Sequence, residues 1–334
     1  MTGDGGAPLG EPTSDPDVVR TYLDHLDRVD PEGATRLALD LLDRGWSVAD
    51  VLVDVVAAAQ REVGRRWLSG GWSVAQEHAA THVSEQVVAA VGRRTGRSTG
   101  PGHVVMACVE GEWHALAARI VAEVVRAGGW RVTFLGASVP PRHLVSYLHQ
   151  TGPDAVLLSC VQPSRLVRAA RTVAACRTAD VPVVAGGPGF GADGRWAGAV
   201  GAAAWGASAR DAVELLDRHD HLGSAGEPAP TPPDDEHAAV LRRRREVVQG
   251  VTRAVVPAGD EAESMAGIAA QVLDSLAAAL LVGDPDLLAD FVRWQRHALG
   301  SRGSLLDPLL RGCAAALGEH PRALDYLRLA RTAG

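Results

Sequence analysis

The spacing of apolar residues changes period twice along the chain. From Pro16 to about Arg97 they recur at helical intervals, first at Val18, Tyr22, Leu23 and Leu26, then at Leu37, Ala38, Leu41 and Leu42. The stripe continues through Val51, Leu52, Val55, Val56 and Ala59 and through Ala79, Val83, Val87 and Val91. Breaks at Pro31-Glu32-Gly33, Gly45 and Gly70-Gly71 cut this stretch into four predicted helices, and an antiparallel four-helix bundle is the economical way to bury their stripes. Over 101–222 the runs shorten. Val104–Cys108, Arg131–Leu135, Ala155–Cys160, Val181–Ala185 and, more weakly, Ala202–Trp205 read as strands. Helical stretches near His114–Ala127, Pro141–Gln150 and Ser164–Ala179, and one from Asp211, separate and follow them. Non-alternating apolar strands interleaved with helices predict a parallel sheet covered on both faces, of the flavodoxin-like (Rossmann-type) kind.

A Pro-rich stretch, 223–236, reads as a linker. Helical period then returns at Ala238–Val256, Asp260–Leu281, Asp284–Leu299, Ser304–Leu317 and Pro321–Ala330, with Gly283, Gly300 and Gly318 as stops. Residues 1–15, rich in Gly and Pro, read as a disordered tail. The expected organisation is multi-domain α and α/β: tail 1–15, helical bundle 16–97, α/β domain 98–222, linker 223–236 and an all-helical domain 237–334.

Composition narrows the chemistry. A chain of 334 residues is long enough for two or three domains. Its 33 basic residues are all arginine, so lysine-dependent chemistry, from Schiff bases to the phosphate-binding lysine of a P-loop, is excluded. A net charge of −7 argues against direct DNA binding. Cys108, Cys160, Cys176 and Cys313 are too widely spaced for a zinc ribbon and read as buried thiols of a reducing compartment. No apolar run reaches about 18 uninterrupted residues, and no secretory pattern opens the chain, so a cytoplasmic protein with no membrane partner is expected. The run Arg242–Arg245 reads as a solvated helix face, with a partner contact as the alternative.

The strongest chemical signal follows the first predicted strand, in Glu110-Gly111-Glu112-Trp113-His114. A histidine there sits above the carboxyl edge of the sheet, where ligands of such folds bind, and a carboxylate two residues earlier can hold one ring nitrogen while the other meets a metal. This loop resembles the Glu/Asp-x-His-x-x-Gly motif of proteins that bind cobalamin base-off, with Ala117 where the family has Gly. The resemblance implies that His114 is the lower axial ligand of cobalt and that Glu112 and Trp113 belong to the cofactor site. It extends to Ser159-Cys160-Val161, similar to a Ser-x-Leu/Val mark whose Ser faces the nucleotide tail, and to Gly186-Gly187, similar to the Gly-Gly that lets backbone approach that tail.

In the first bundle, nine residues separate Trp67 from Glu77-His78. This resembles the Trp-x9-Glu-His signature of cobalamin-dependent photoreceptors of the CarH type. By that likeness the bundle is a cap, Trp67 covers an adenosyl upper ligand, and Glu77 and His78 line the same pocket. Leu68 stands where those receptors have the histidine that ligates cobalt after illumination, and its side chain has no donor atom. No DNA-binding helix-turn-helix precedes the bundle. The C-terminal helices look like degenerate globin-like sensor domains, and the whole arrangement is similar to the photocobilins, which add a bilin. Biliverdin held non-covalently near Arg293, Trp294, Arg296 and His297 is the corresponding expectation. The function implied is a non-enzymatic light sensor in which photolysis of adenosylcobalamin alters conformation, homo-oligomer state or binding of a protein partner. The alternative is a corrinoid carrier serving a methyltransferase.

Overall fold

The computed structural model describes residues 15–96, 100, 102–218, 232–255 and 259–332. Most of the tail and of the linker expected from sequence therefore lie outside the described residues. By compactness the chain divides into two units: Met1–His103 with Ala115–Phe134 and Ser208–Glu214, and Val104–His114 with Leu135–Ala207 and Leu215–Gly334.

The first unit contains helices α1 (Pro16–Asp27), α2 (Pro31–Asp43), α3 (Ala58–Leu68) and α4 (Val74–Thr95), with a π-helical stretch, Asp50–Ala57, running directly into α3. Local signals set these boundaries. Asp15 and Asp30 cap α1 and α2 ahead of a proline in the first turn, and Ser73 with Gln76 forms a complete capping box on α4. The buried stripe holds Tyr22, Leu26, Leu41, Leu52, Val56 and Val87. Each such side chain contributes about 2 kcal/mol of burial. The same unit includes α5 (Ala115–Ala127) and the start of α8 (Ala209–Asp217). Arg210 of α8 bonds Asp50 and Asp54, at 2.8 and 2.7 Å, so both carboxylates of the π-helical stretch meet one guanidinium. On α5, Glu123 is fully buried between Arg119 and Arg126, directly against Gly92 of α4, where a Cβ would overlap the carboxylate.

Strands β1 (His103–Val109), β2 (Arg131–Val139), β3 (Ala155–Ser159), β4 (Val183–Gly186) and β5 (Ala204–Gly206) form one sheet in the order β2-β1-β3-β4-β5. β1 pairs with β3 and β3 with β4 in parallel, running Val104↔Ala155 to Cys108↔Ser159 and Val156↔Val183 to Ser159↔Gly186. This is the doubly wound order expected from sequence. Its switch point lies between β1 and β3, where the chain leaves in opposite directions and opens a crevice.

In the second unit α6 (Pro141–Thr151) and α7 (Leu166–Thr178) share one continuous apolar core with α9 (Glu236–Val255), α10 (Asp260–Val282), α11 (Asp286–Leu299), α12 (Leu306–Ala316) and α13 (Pro321–Thr332). The core runs from Val156 and Leu158 of β3 through Leu166 and Val173 to Leu273, Leu276 and Leu309. Residues Ala262–Val282 are long and apolar enough to cross a membrane, with mean hydropathy 1.8, and 67% of that stretch is buried inside the fold, as suits a core helix. One expectation is corrected here. The Arg242–Arg245 run is not a uniformly solvated face: Arg244 makes a two-pronged pair with Asp274 at 2.6 and 2.9 Å, and Arg243 donates to the Ala316 carbonyl at 2.6 Å. Four consecutive helical positions span all directions, so some of them must point toward the packed side.

Candidate functional site

The β1–α5 loop turns back on itself at Gly111, which adopts φ +81°. The end of β2 pins the turn: the Gly111 N–H donates to the Ser138 hydroxyl at 3.0 Å, and the Ser138 N–H donates to the Glu112 carbonyl at 2.9 Å. Ser138 itself has a positive φ of 50°, the conformation that places both its N–H and its hydroxyl against this loop.

Glu112 is buried, with 1% of its side chain exposed, and both of its oxygens accept hydrogen bonds. One meets His114 Nδ1 at 2.5 Å and the His114 N–H at 3.1 Å. The other takes the N–H groups of Val161 and Gln162, at 2.9 and 3.1 Å, from the loop after β3. Burial pushes this carboxyl upward, yet the bonds from the His114 side chain and backbone and from Val161 outweigh it and hold the group down at about 2. Glu112 is therefore an anion that can only accept, so His114 presents an Nδ1–H to it. The His114 side chain is 57% exposed. The dyad joins the loops after β1 and β3 across the switch point.

Ser159 is buried at the end of β3, in register with Cys108 on one side and Gly186 on the other. At Gly186 an added Cβ would find only the Gly206 carbonyl, at 3.7 Å, so the sheet edge is open there. Gly187 differs. Its φ is +99° and a Cβ would overlap the Cys160 carbonyl, so this glycine is required by the packing of the chain on itself. Val161 acts here through its backbone N–H. Trp113 stands 74% exposed beside His114.

In the first unit, the nine-residue interval is the end of α3, a tight turn and the first turn of α4. Trp67 is 37% exposed, Leu68 is half-buried, and Glu77 pairs with His78 Nδ1 at 2.7 Å and accepts from the Thr81 hydroxyl at 2.9 Å. The aromatic that packs into this turn is Trp72, 8% exposed, with Arg66 over its ring. On α11, Arg293 pairs with Asp290 at 2.6 Å, and Arg296 pairs with Asp307 at 2.8 Å and donates to the Arg331 carbonyl. Trp294 is 40% exposed near Phe291, and His297 is exposed. These four residues share the end of one helix, and both guanidinium groups are engaged by carboxylates.

Sequence reasoning did not find Ser138 or Gln162, nor Arg168, which donates to the Glu110 carbonyl at 3.3 Å. Backbone donors and a residue from the end of another strand carry no local signature. Among the described residues no three His, Cys, Asp or Glu side chains gather to hold a metal ion. A metal bound by His114 would therefore bring its other ligands with it, as cobalt in a corrin ring does, and an exposed imidazole held from one side by a carboxylate fits that group.

Comparison with known proteins points to cobalamin as the cofactor. Residues 102–214 match one B12 binding domain family and residues 18–91 match a second B12 binding domain family. The chain is 24% identical over 208 residues to a trimethylamine corrinoid protein of Methanosarcina acetivorans, covering 60% of this chain and 95% of that one. It is 26% identical over 186 residues to a corrinoid protein of Desulfitobacterium hafniense, covering 54% and 83%. In fold it is similar to the monomethylamine corrinoid protein of Methanosarcina barkeri, at a TM-score of 0.53 and 16% identity over 60% of this chain and 97% of that one. The chain carries B12-binding domains in its helical N-terminal region and in its α/β region. It is a cobalamin-binding protein.

Proposed function

We propose that the chain is a corrinoid carrier: it holds cobalamin with His114 as the lower ligand of cobalt and presents it to a methyltransferase, without turning over a substrate itself. The observation that carries this reading is the buried Glu112 anion, which holds His114 by Nδ1 at the switch point while 57% of the His114 side chain stays exposed. Likeness to corrinoid proteins that are themselves described by methylamine names supports the carrier role. When bound, the corrinoid supplies a metal centre able to accept and release a methyl group. The residues of the chain do the rest. Glu112 orients the imidazole through Nδ1, Ser138 and the Val161 and Gln162 N–H groups hold Glu112, and Ser159 with Gly186 borders the open sheet edge where a nucleotide tail would lie.

The test is reconstitution with hydroxocobalamin, reduction to the Co(II) state and electron paramagnetic resonance on protein labelled with 15N-histidine. Nitrogen splitting that changes from three lines to two on labelling, and is lost in His114→Ala, is the expected result. Unchanged three-line splitting would leave the cofactor's own base on the metal and remove His114 from the role.

A second reading, a light sensor using adenosylcobalamin, is favoured by the Trp67 to Glu77-His78 interval and by the helices beyond residue 214, which lie outside both matched domains. The globin-like and biliverdin expectations belong to this reading, and the engagement of Arg293 and Arg296 by Asp290 and Asp307 weighs against propionates at that place. Sedimentation of the adenosylcobalamin-loaded chain in the dark and after green light separates the two. A light-dependent shift that is lost in Trp67→Ala supports the sensor; identical dark and light profiles support the carrier.

A further inference from the structure

The loop after β3 and the N-terminal half of α7 meet helices α9 and α10 around a cavity of about 420 Å³. Arg168, Arg171, Arg242 and Arg244 line it, and Asp274 is the one carboxylate among the lining residues. Arg244 and Asp274 neutralise each other through their two-pronged pair. That leaves the three charges of Arg168, Arg171 and Arg242, with the Ser164 hydroxyl as a further donor. Arg168 gives one nitrogen to the Glu110 carbonyl, Arg242 approaches Asp235 only at 3.4 Å, and Arg171 makes no ion pair among the described residues. Close by, Arg165 lies 3.8 Å from Asp274, and its Nε is buried with no hydrogen-bond partner. Four guanidinium groups around one cavity outnumber the carboxylates that meet them, Asp274 and Asp235, and the arrangement is complementary to a compact polyanion.

We infer that this cavity binds a small molecule bearing a di- or triphosphate group. Arg168 and Arg171, with Arg242 shared with Asp235 at 3.4 Å, suit the charge of such a group, and planar guanidinium forks can each take two phosphate oxygens. The cavity is formed wholly within the second unit and does not include His114, so the inference stands apart from the corrinoid reading. Its position gives it a consequence nonetheless. Arg168 holds the loop that carries Glu112, and Arg165 lies on the loop whose Val161 and Gln162 hold the Glu112 carboxylate, so an anion here would bear on the cobalt-ligand loop from behind.

The experiment is calorimetric titration of the full chain, free of cobalamin, with inorganic pyrophosphate and separately with ATP. Binding of at least one probe is expected. It should weaken about tenfold in each of Arg171→Ala and Arg242→Ala, and stay unchanged in Arg328→Ala, a control that removes an exposed arginine on α13. Circular dichroism of each variant confirms the fold. No heat with either probe at millimolar concentration, or equal weakening in the Arg328 control, overturns the inference. Loss of cobalamin binding in His114→Ala with pyrophosphate binding intact would show that the two sites stand or fall separately.

Discussion

At the residue scale the chemistry turns on which atoms can accept. Glu112 faces donors on both sides, His114 on one and the Val161 and Gln162 N–H groups on the other, and only a carboxylate satisfies all of them. In Glu112→Gln one side must confront an amide NH2 with further N–H donors. Cobalamin affinity is expected to fall 10- to 100-fold, the usual cost of losing the group that orients a metal-bound imidazole. Quenching of tryptophan fluorescence on titration with hydroxocobalamin measures it, and an affinity equal to the parent chain would mean that Glu112 does not orient the ligand. The four cysteines are all buried and free. Burial pushes Cys108, Cys176 and Cys313 up to about 12 from the ordinary 9.0, with the Glu112 charge adding to the effect at Cys108, while Cys160 and the Tyr22 hydroxyl are pushed further. A raised value in the folded state means that the stability these groups confer is complete below pH 9 and is lost as the pH climbs toward 12. The loss is about 1.4 kcal/mol per thiol per pH unit. Urea unfolding under reducing conditions should therefore show a midpoint clearly lower at pH 10 than at pH 8. Equal midpoints would mean that the thiols are not desolvated.

At the element scale, boundaries were written locally and partners were not. Asp15 with Pro16, Asp30 with Pro31, Ser73 with Gln76 and the left-handed Gly283 each mark a helix end within a few residues of it, which is why helices and strands emerge from spacing alone. The β1 loop was legible for the same reason, since Glu112 and His114 lie two residues apart. Ser138, Gln162, Arg168 and Asp274 were not, because each reaches its role from 26 to 162 residues beyond Glu112 by the tertiary fold. Arg210 is of that kind too. It bridges Asp50 and Asp54, whose side chains are 19% and 11% exposed, and the bonds from Ser47 and Arg210 lower Asp50 against the opposing effect of burial. Arg210→Ala leaves two carboxylates poorly solvated and should cost about 3 kcal/mol at pH 7. A lowered carboxyl confers its stability above the ordinary 3.8 and loses it as pH falls below, so the penalty should shrink at pH 3, when an unpaired Asp50 can protonate. Denaturant curves of parent and variant at both pH values test this, and a penalty that does not change with pH would point to lost packing alone.

At the scale of the whole molecule, the second unit poses the question of whether its C-terminal helices are a separate module. Sequence sets them off by a Pro-rich stretch, but packing does not. The apolar core runs without interruption from β3 through Leu166, Val167 and Val173 of α7 into Leu273 and Leu276 of α10, and Trp196, beyond β4, donates to Asp284 at the end of α10 at 2.9 Å. Arg165 and Arg244 meet on Asp274 at the same seam. A hydrophobic core shared in this way couples the stability of its contributors, because opening one part strips apolar cover from the other. Hydrogen exchange followed by mass spectrometry at increasing urea should then give the same opening free energy for peptides covering Ala155–Ser159 of β3 and Val272–Leu280 of α10. Exchange of α10 at markedly lower urea than β3 would make the C-terminal helices an independent folding unit resting on the sheet domain. Coincident exchange would make them part of the body that holds the β3 loop, and so part of what keeps Glu112 and His114 in place.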